Sequence, residues 1–363
     1  DMNKRFSGKV NIVDPKLFGP FGTDTFASTI INTAKTQTDS TRTTLGSEVT
    51  TFTSISGETE HVLNTAPDDY GTSYYFKGNV IDNYVSFADK VWRIVRINGD
   101  GSIRLILDDV AKDTSGNVIT TTFNVKYNDN AYVGYMYGTP GSTTYDATHE
   151  NKNDSTIKIA VDKWYEDNLK TNYANYLADT LFCGDKTLAE SGIGGVTTQL
   201  GYGTNETYYS STERLRYSTG TTDITTSKPI LKCAEKTNDN YSRYTTTKGT
   251  LPDGKETNGN LKYPIGLLTA DEVAYAGAYK YNQTNKTYYL YNSLIISTWW
   301  ILSPSRFYDS YVGGWLVDGS YGVIYNYRGV NNSYSFRPTI NLKKDVKFTG
   351  TGTSSDPYKI VSE

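Results

Sequence analysis

The sequence predicts an α+β protein, and three features carry that expectation. Apolar residues Trp92, Ile94, Val95 and Ile97, then Ile103, Leu105 and Leu107, flank Asn98-Gly99-Asp100-Gly101. Two later segments repeat apolar residues at helical spacing, and the last quarter breaks into short apolar runs divided by Gly and Ser. Asn-Gly and Asp-Gly tolerate the positive φ of a tight hairpin turn, whereas a period near 3.6 needs a helix. The expected order is hairpin, helix, helix, then several short strands.

Residues 1 to 66 hold few large apolar side chains after Phe26 and are dense in Thr and Ser between Ala34 and Glu60. They are expected to form an N-terminal extension, a stalk or a small β-rich domain. The hairpin follows. Asp100 in its turn also suggests a calcium ligand, the weaker option because no further acidic residues follow at loop spacing. Residues 154 to 181 place Ile157, Val161, Trp164, Leu169, Tyr173 and Leu177 behind an Asp154/Ser155 cap, predicting one helix or two.

Residues 182 to 262 are rich in Gly, Thr and Asn with little periodicity and read as a long insertion contributing little to the core. They contain Cys183 and Cys233, the chain's 2 cysteines. An even, minimal count in such a surface-type composition favours one disulfide closing the insertion; two reduced thiols are the alternative. A second helix is expected from Leu268 to Ala276, with Thr269 and Glu272 forming a capping box and Gly277 ending it. Strands are expected at Thr298 to Leu302, Tyr311 to Val317, Gly322 to Tyr327 and Phe336 to Leu342.

Composition bounds the function. A hydrophobic content of 37% over 363 residues supports a real core. With 36 basic and 39 acidic residues spread along the chain, no Lys/Arg block is available to neutralise a row of phosphates, so nucleic acid is not an expected partner. No run of 18 apolar residues occurs, and the start at Asp1 is what a processed ectodomain would show; membrane association is expected only through an N-terminal anchor lost with the leader. His61 and His149 are the 2 imidazoles, too few for most zinc or His-dependent nucleophile sites.

Residues 305 to 336, SRFYDSYVGGWLVDGSYGVIYNYRGVNNSYSF, hold six Tyr, one Trp and two Phe among Gly, Ser and Asn, with no Lys, Glu or Ala. Tyr and Trp supply rigid amphipathic contact area with few rotors to freeze, while Ser, Gly and Asn adapt their hydrogen bonds. Lys and Glu are depleted from interface cores. The mixture therefore suits a binding face. The alternative is that Tyr and Gly are sheet and turn residues of a chain with 32 Tyr.

The motifs GTSYYFKGNV, IDNYVSF, WRIVRINGDGSIRLI, YPIGLLTADEVAYAGA, YYLY, WWILSPS, FRPTINLK and GTGTSSDPY, in this order, resemble a family of surface proteins from gut Firmicutes. The match covers residues 67 to 363, and its last third resembles the variable region of proteins diversified by retroelements. That link rests on Trp299 through Pro338. The resemblance implies a C-type-lectin-like fold of the kind shared with formylglycine-generating enzymes, with two helices and short curled β-sheets. It also implies a ligand-binding domain over 67–363 with a variable region at 299–338. Adenine-directed mutagenesis of asparagine codons yields mainly Tyr, Asn, Asp, Ser, Gly, Ile, Val and Phe, close to the set that fills residues 306 to 335.

In such a fold scaffold and variable positions interleave. Trp299, Trp300, Leu302, Pro304, Val312, Val317, Val323, Arg337 and Pro338 are assigned to the scaffold. Arg306, Tyr308, Asp309, Tyr311, Trp315, Asp318, Tyr321, Tyr325, Tyr327, Arg328, Asn331, Asn332 and Tyr334 are expected to be exposed and ligand-facing. Val323, Tyr325 and Tyr327 share one face of an ideal strand, so Val323 inward with both tyrosines outward requires a bulge or a curled loop.

The copper chemistry of formylglycine-generating enzymes needs two closely placed cysteines in the C-terminal half of the domain. Cys183 and Cys233 are upstream and far apart, so no such activity and no cofactor are expected. Asp318 with Arg328, or Asp309 with Tyr311, could be drawn as acid–base pairs, but carboxylates on a Gly-rich surface are usually solvated. The Glu-Pro-Asn, Gln-Pro-Asp and Trp-Asn-Asp tripeptides of calcium-dependent lectins are absent. The expectation is a non-enzymatic, receptor- or adhesin-like protein, extracellular or at the cell surface, whose partner is a protein or glycan on another cell, phage or host surface. A carbohydrate-binding module is the alternative; an enzyme related to formylglycine-generating enzymes ranks below it.

Overall fold

In the computed structural model, residues 21–36, 62–215, 228–234, 240–278 and 284–361 are described, and they form an α+β structure dominated by strands. In chain order come α1 (Phe26–Thr36) and strands β1 (Val62–Asp68), β2 (Gly71–Lys77), β3 (Tyr84–Phe87), β4 (Lys90–Ile97), β5 (Ile103–Leu107), β6 (Thr121–Thr122) and β7 (Met136–Tyr137). There follow α2 (Tyr145–His149), β8 (Asn153–Asp154), α3 (Thr156–Asn168), β9 (Phe182–Cys183), β10 (Thr207–Tyr208), α4 (Ser210–Arg214), β11 (Arg243–Tyr244), β12 (Ile265–Gly266) and α5 (Ala270–Ala276). The chain ends in β13 (Trp299–Tyr308), β14 (Tyr311–Asp318), β15 (Val323–Gly329), β16 (Ser333–Phe336), β17 (Thr339–Leu342), β18 (Phe348–Thr349) and β19 (Tyr358–Ile360).

The first sheet runs β12-β17-β5-β4-β3-β19-β18, with the β1–β2 hairpin joined to β4 through β2. Its centre is the predicted hairpin, in which Trp92 pairs with Leu107 and Ile97 with Ile103. Asp100 serves the turn itself, accepting from the Ser102 N–H at 2.8 Å. Gly99 is required by close approach: a Cβ there would lie 2.5 Å from Gly71 N, and its own N–H donates to Asp68 Oδ2 at 2.9 Å.

The expected extension, stalk or small β-rich domain over residues 1–66 falls mostly outside the described residues, which here are 21–36 and 62–66. In α1, Phe26, Ala27, Ile30 and Ile31 recur at helical spacing and are buried, and the Phe26 ring lies 4.6 Å from Phe348 and 5.2 Å from Tyr358. Strand β1 crosses the expected boundary at residue 66 and pairs along its length with β2. Burying those apolar side chains outweighs the poor strand and helix propensity of their Thr-rich surroundings.

Helices α3 and α5 form where the sequence predicts, but α3 stops at Asn168 and leaves Leu169, Tyr173 and Leu177 outside it. The Ser155 side chain accepts from the Lys158 N–H, while Thr269 and Glu272 complete a capping box closed by Gly277 at φ 123°. The Glu272 carboxylate does more: it also accepts from Arg96 Nε at 3.0 Å and from Arg104 Nη1 at 2.6 Å, tying α5 to β4 and β5. Arg96 in turn reaches Asp68 at 2.8 Å. Burial opposes the Glu272 charge, but Arg104 and Arg96 more than offset it and hold its pKa down to about 2.

Residues 182–262 are not peripheral to the core. Phe182, Tyr209 and Tyr244 are fully buried in the main apolar cluster. Strands β9 and β11 pair beside a disulfide between Cys183 and Cys233, whose Cα atoms are 5.4 Å apart. Single aromatics scattered through a Thr- and Gly-rich segment anchor it without any periodic signal. Asp69, on the β1–β2 turn, accepts from the Cys233 N–H at 2.9 Å, and burial pushes its carboxyl up to about 6.

The second sheet runs β15-β14-β13-β16-β6, with β10 on β13. The single strand expected from Phe336 to Leu342 is split: Phe336 pairs with Trp300 in this sheet, and from Thr339 onward β17 pairs with β5 in the first. Pro338 has no N–H for a ladder, and the buried Arg337 guanidinium donates to the Leu107 and Leu290 carbonyls, fixing the crossing. Among the described residues no helix is long and apolar enough to cross a membrane.

Candidate binding surface

The candidate residues are carried by the β13–β14–β15 meander. Tyr308 pairs with Tyr311 across a two-residue turn in which Asp309 and Ser310 both take positive φ, 52° and 66°. A type I′ turn matches the right-handed twist of the strands, and the turn holds two L residues in the left-handed region to obtain it. Irregular register on either side of Pro304 accommodates a strand residue that cannot donate. All nine residues assigned to the scaffold, Trp299, Trp300, Leu302, Pro304, Val312, Val317, Val323, Arg337 and Pro338, are buried.

Trp315 is not ligand-facing. It is 0% exposed and its Nε1 donates to Ser211 Oγ at 3.0 Å. Helix α4 covers that face of the hairpin, with the Ser211 and Thr212 hydroxyls donating to the carbonyls of Pro304 and Ser305. An indole needs a partner for its N–H when buried, and α4 supplies one.

The other candidates are exposed or half-buried, and they fall into groups. The Arg306 guanidinium lies over three tyrosine rings, 5.9 Å from Tyr208, 5.5 Å from Tyr308 and 5.9 Å from Tyr311, and its Nη2 donates to the Tyr311 hydroxyl at 3.0 Å. Arg328 lies 5.9 Å from the Tyr325 ring and 5.6 Å from that of Tyr327, whose centroids are themselves 5.6 Å apart and edge-to-face. Such arrangements hold a cation over the negative face of an aromatic ring. The two groups adjoin at Gly313, where a Cβ would lie 3.4 Å from both Arg306 Cγ and Tyr327 Cα. Asn331 and Asn332 flank the same end: a Cβ on Gly329 would meet both of them and the Tyr311 ring.

Three candidates stand apart. Asp318 and Tyr321 occupy the β14–β15 turn, at the far end of an eight-residue strand and so about 23 Å from Tyr311. There Asp318 Oδ1 accepts from the Ser320 and Tyr321 N–H groups, so its carboxylate closes a turn. Tyr334 lies across β13 from the meander and packs edge-on against Trp300 at 5.2 Å. Neither acid–base pair is assembled as an ion pair or hydrogen bond among the described residues.

The required irregularity in β15 exists. From Gly314 to Leu316 on β14 is two steps, while the paired residues Arg328 and Tyr325 are three apart. The extra residue falls between Tyr325 and Arg328, not after Val323. Val323 is buried instead at the strand's start, where the Asn285 N–H donates to the Tyr321 carbonyl.

Tyr208 was not legible as part of this surface. It arrives through β10, which pairs Thr207 with Phe307 and Tyr208 with Arg306. Tyr127, exposed and with its carbonyl accepting from the Val312 N–H, adjoins the same edge of the hairpin. A cleft of about 450 Å³ lies elsewhere, walled by Leu107, Asp108, Trp164 and Leu294. Among the described residues no group of His, Cys, Asp and Glu is arranged to hold a metal ion.

No family model, curated protein or solved structure matches the chain.

Proposed function

We propose that the chain is a ligand-binding protein of the cell surface, receptor- or adhesin-like and without catalysis, built on a C-type-lectin-like frame. Its β13–β15 meander is a diversified binding face of the retroelement type. The observation that carries the reading is the pairing of Arg306 and Arg328 with half-exposed tyrosines on a hairpin whose Trp299, Trp300 and Trp315 are fully buried. A rigid apolar frame with adaptable Tyr, Arg and Asn side chains on its outer face is the physical arrangement a paratope requires. Among the described residues five α-helices stand where two were expected, and it is the succession of the hairpin, the capped helices α3 and α5 and the terminal short strands that supports the lectin-like frame. The disulfide supports an oxidising, extracellular location.

Sequencing the same locus across sibling strains tests the reading. Substitutions should gather at Arg306, Tyr308, Tyr311, Tyr325, Tyr327, Arg328, Asn331 and Asn332 and spare Trp299, Trp300, Pro304 and Trp315. An even scatter along the chain would remove diversification, and clustering at buried positions would remove the binding face.

A further inference from the structure

Resting on that reading, we infer that the partner is an acidic protein segment, bound through its side-chain carboxylates by Arg306, Arg328 and Tyr311. Among the interior arginines, Arg96, Arg104 and Arg214 each pair with an Asp or Glu, Arg337 lies 3.6 Å from Asp108, and Arg93 and Arg243 donate to the Val80 and Ala234 carbonyls. Arg306 and Arg328 have no ion-pair partner among the described residues. Arg306 spends one N–H on the Tyr311 hydroxyl, and its Nε is buried with no acceptor. Arg328 is exposed and engages the Tyr325 and Tyr327 faces only, without a hydrogen bond among the described residues. The Tyr311 oxygen accepts from Arg306, so its own O–H remains free to donate outward.

The result is a surface that offers N–H and O–H donors and two fixed positive charges, with the Glu206 and Asp309 carboxylates set at the hairpin turn beside them, where Glu206 accepts from the Asp309 N–H at 3.4 Å. The rings beside the guanidiniums do not neutralise them, and the exposed Arg328 keeps its whole fork free for a carboxylate. A protein segment is favoured over a sugar because the donors are spread along two hairpin strands and a third strand, with tyrosine rings between them. That spacing suits successive side chains of one segment, with apolar ones against the rings.

The test is selection of random 12-residue peptides displayed on phage against the intact chain, followed by binding measurements with the enriched peptides. Enrichment in Asp and Glu is expected. Arg306→Gln with Arg328→Gln should weaken those peptides by about tenfold or more, and Arg306→Lys with Arg328→Lys should recover only part of the loss. Raising NaCl from about 50 mM to about 500 mM should weaken wild-type binding by about fivefold. Each variant's thermal midpoint is measured alongside, and Arg328→Gln alone, at an exposed position, keeps the test usable if the double variant unfolds. Neutral peptides that bind without salt dependence and are lost in Tyr327→Ala would overturn the charge inference while leaving the binding face intact. Peptides insensitive to every one of these variants would overturn both. No enriched peptide, with binding of a uronic-acid oligosaccharide instead, would overturn the protein partner.

Discussion

Arg306 Nη2 donates to the Tyr311 hydroxyl at 3.0 Å across the β13–β14 hairpin, so two residues flanking the Asp309-Ser310 turn share one hydrogen bond and one ring face. That contact makes the outer surface of the hairpin a preformed one. Its guanidinium is already oriented before any partner arrives, which lowers the ordering cost of binding.

Tyr327→Ala should separate binding from stability. Its ring is half-buried and meets Tyr325 and Arg328 near the surface, so the thermal midpoint should move by no more than about 4 °C while affinity for a selected peptide falls about tenfold or more. Loss of folding on this change would place the ring in the core.

Trp315→Ala should do the reverse. Removing a 0% exposed indole leaves a cavity and takes away the N–H that Ser211 Oγ accepts from, and a cost of about 3–5 kcal/mol is expected in denaturant unfolding. Wild-type stability in this variant would mean that α4 does not cover the hairpin.

Cys183→Ser with Cys233→Ser should lower stability by about 3–4 kcal/mol, because the bond restrains a loop with a sequence separation of 50 in the unfolded chain. Equilibrium unfolding of the double variant beside the oxidised wild type measures it.

Stability should peak in mildly acidic solution. Asp69 has a folded pKa of about 6 against an ordinary 3.8, because burial disfavours its charge, so the stability it contributes is complete below 3.8 and lost as pH rises through 6. Glu272, held at about 2 against 4.5, contributes in the opposite sense: its stability is present above 4.5 and lost as pH falls toward 2. Thermal midpoints from pH 3 to 8 should therefore fall on both sides of about pH 4–5 from these two groups, and Asp69→Asn should flatten the slope between 4 and 6.

Ser310→Gly should stabilise the protein by about 0.5–1 kcal/mol, since Ser310 holds φ at 66° where glycine is unstrained. A lower thermal midpoint would show that the Ser310 side chain offsets its backbone cost.

What the sequence determined by itself were the features written in a few adjacent residues. The Asn98-Gly99-Asp100-Gly101 turn, the Ser155 cap, the Thr269–Glu272 box and the buried Trp299-Trp300 pair each follow from local turn chemistry, capping or apolar pattern, and each stands where that chemistry puts it. The tertiary structure alone decided which aromatics meet solvent. Trp315 belongs to the same Tyr-, Gly- and Ser-rich stretch as Tyr325 but is covered by α4, and Tyr208 joins Arg306 because β10 pairs with β13. The helix at Phe26–Thr36 and the division of Phe336–Leu342 at Arg337-Pro338 likewise depend on which distant surface was there to bury them. Side-chain burial is a property of pairing between segments far apart in the chain, and a single strand's alternation fixes two faces without saying which one another element will cover.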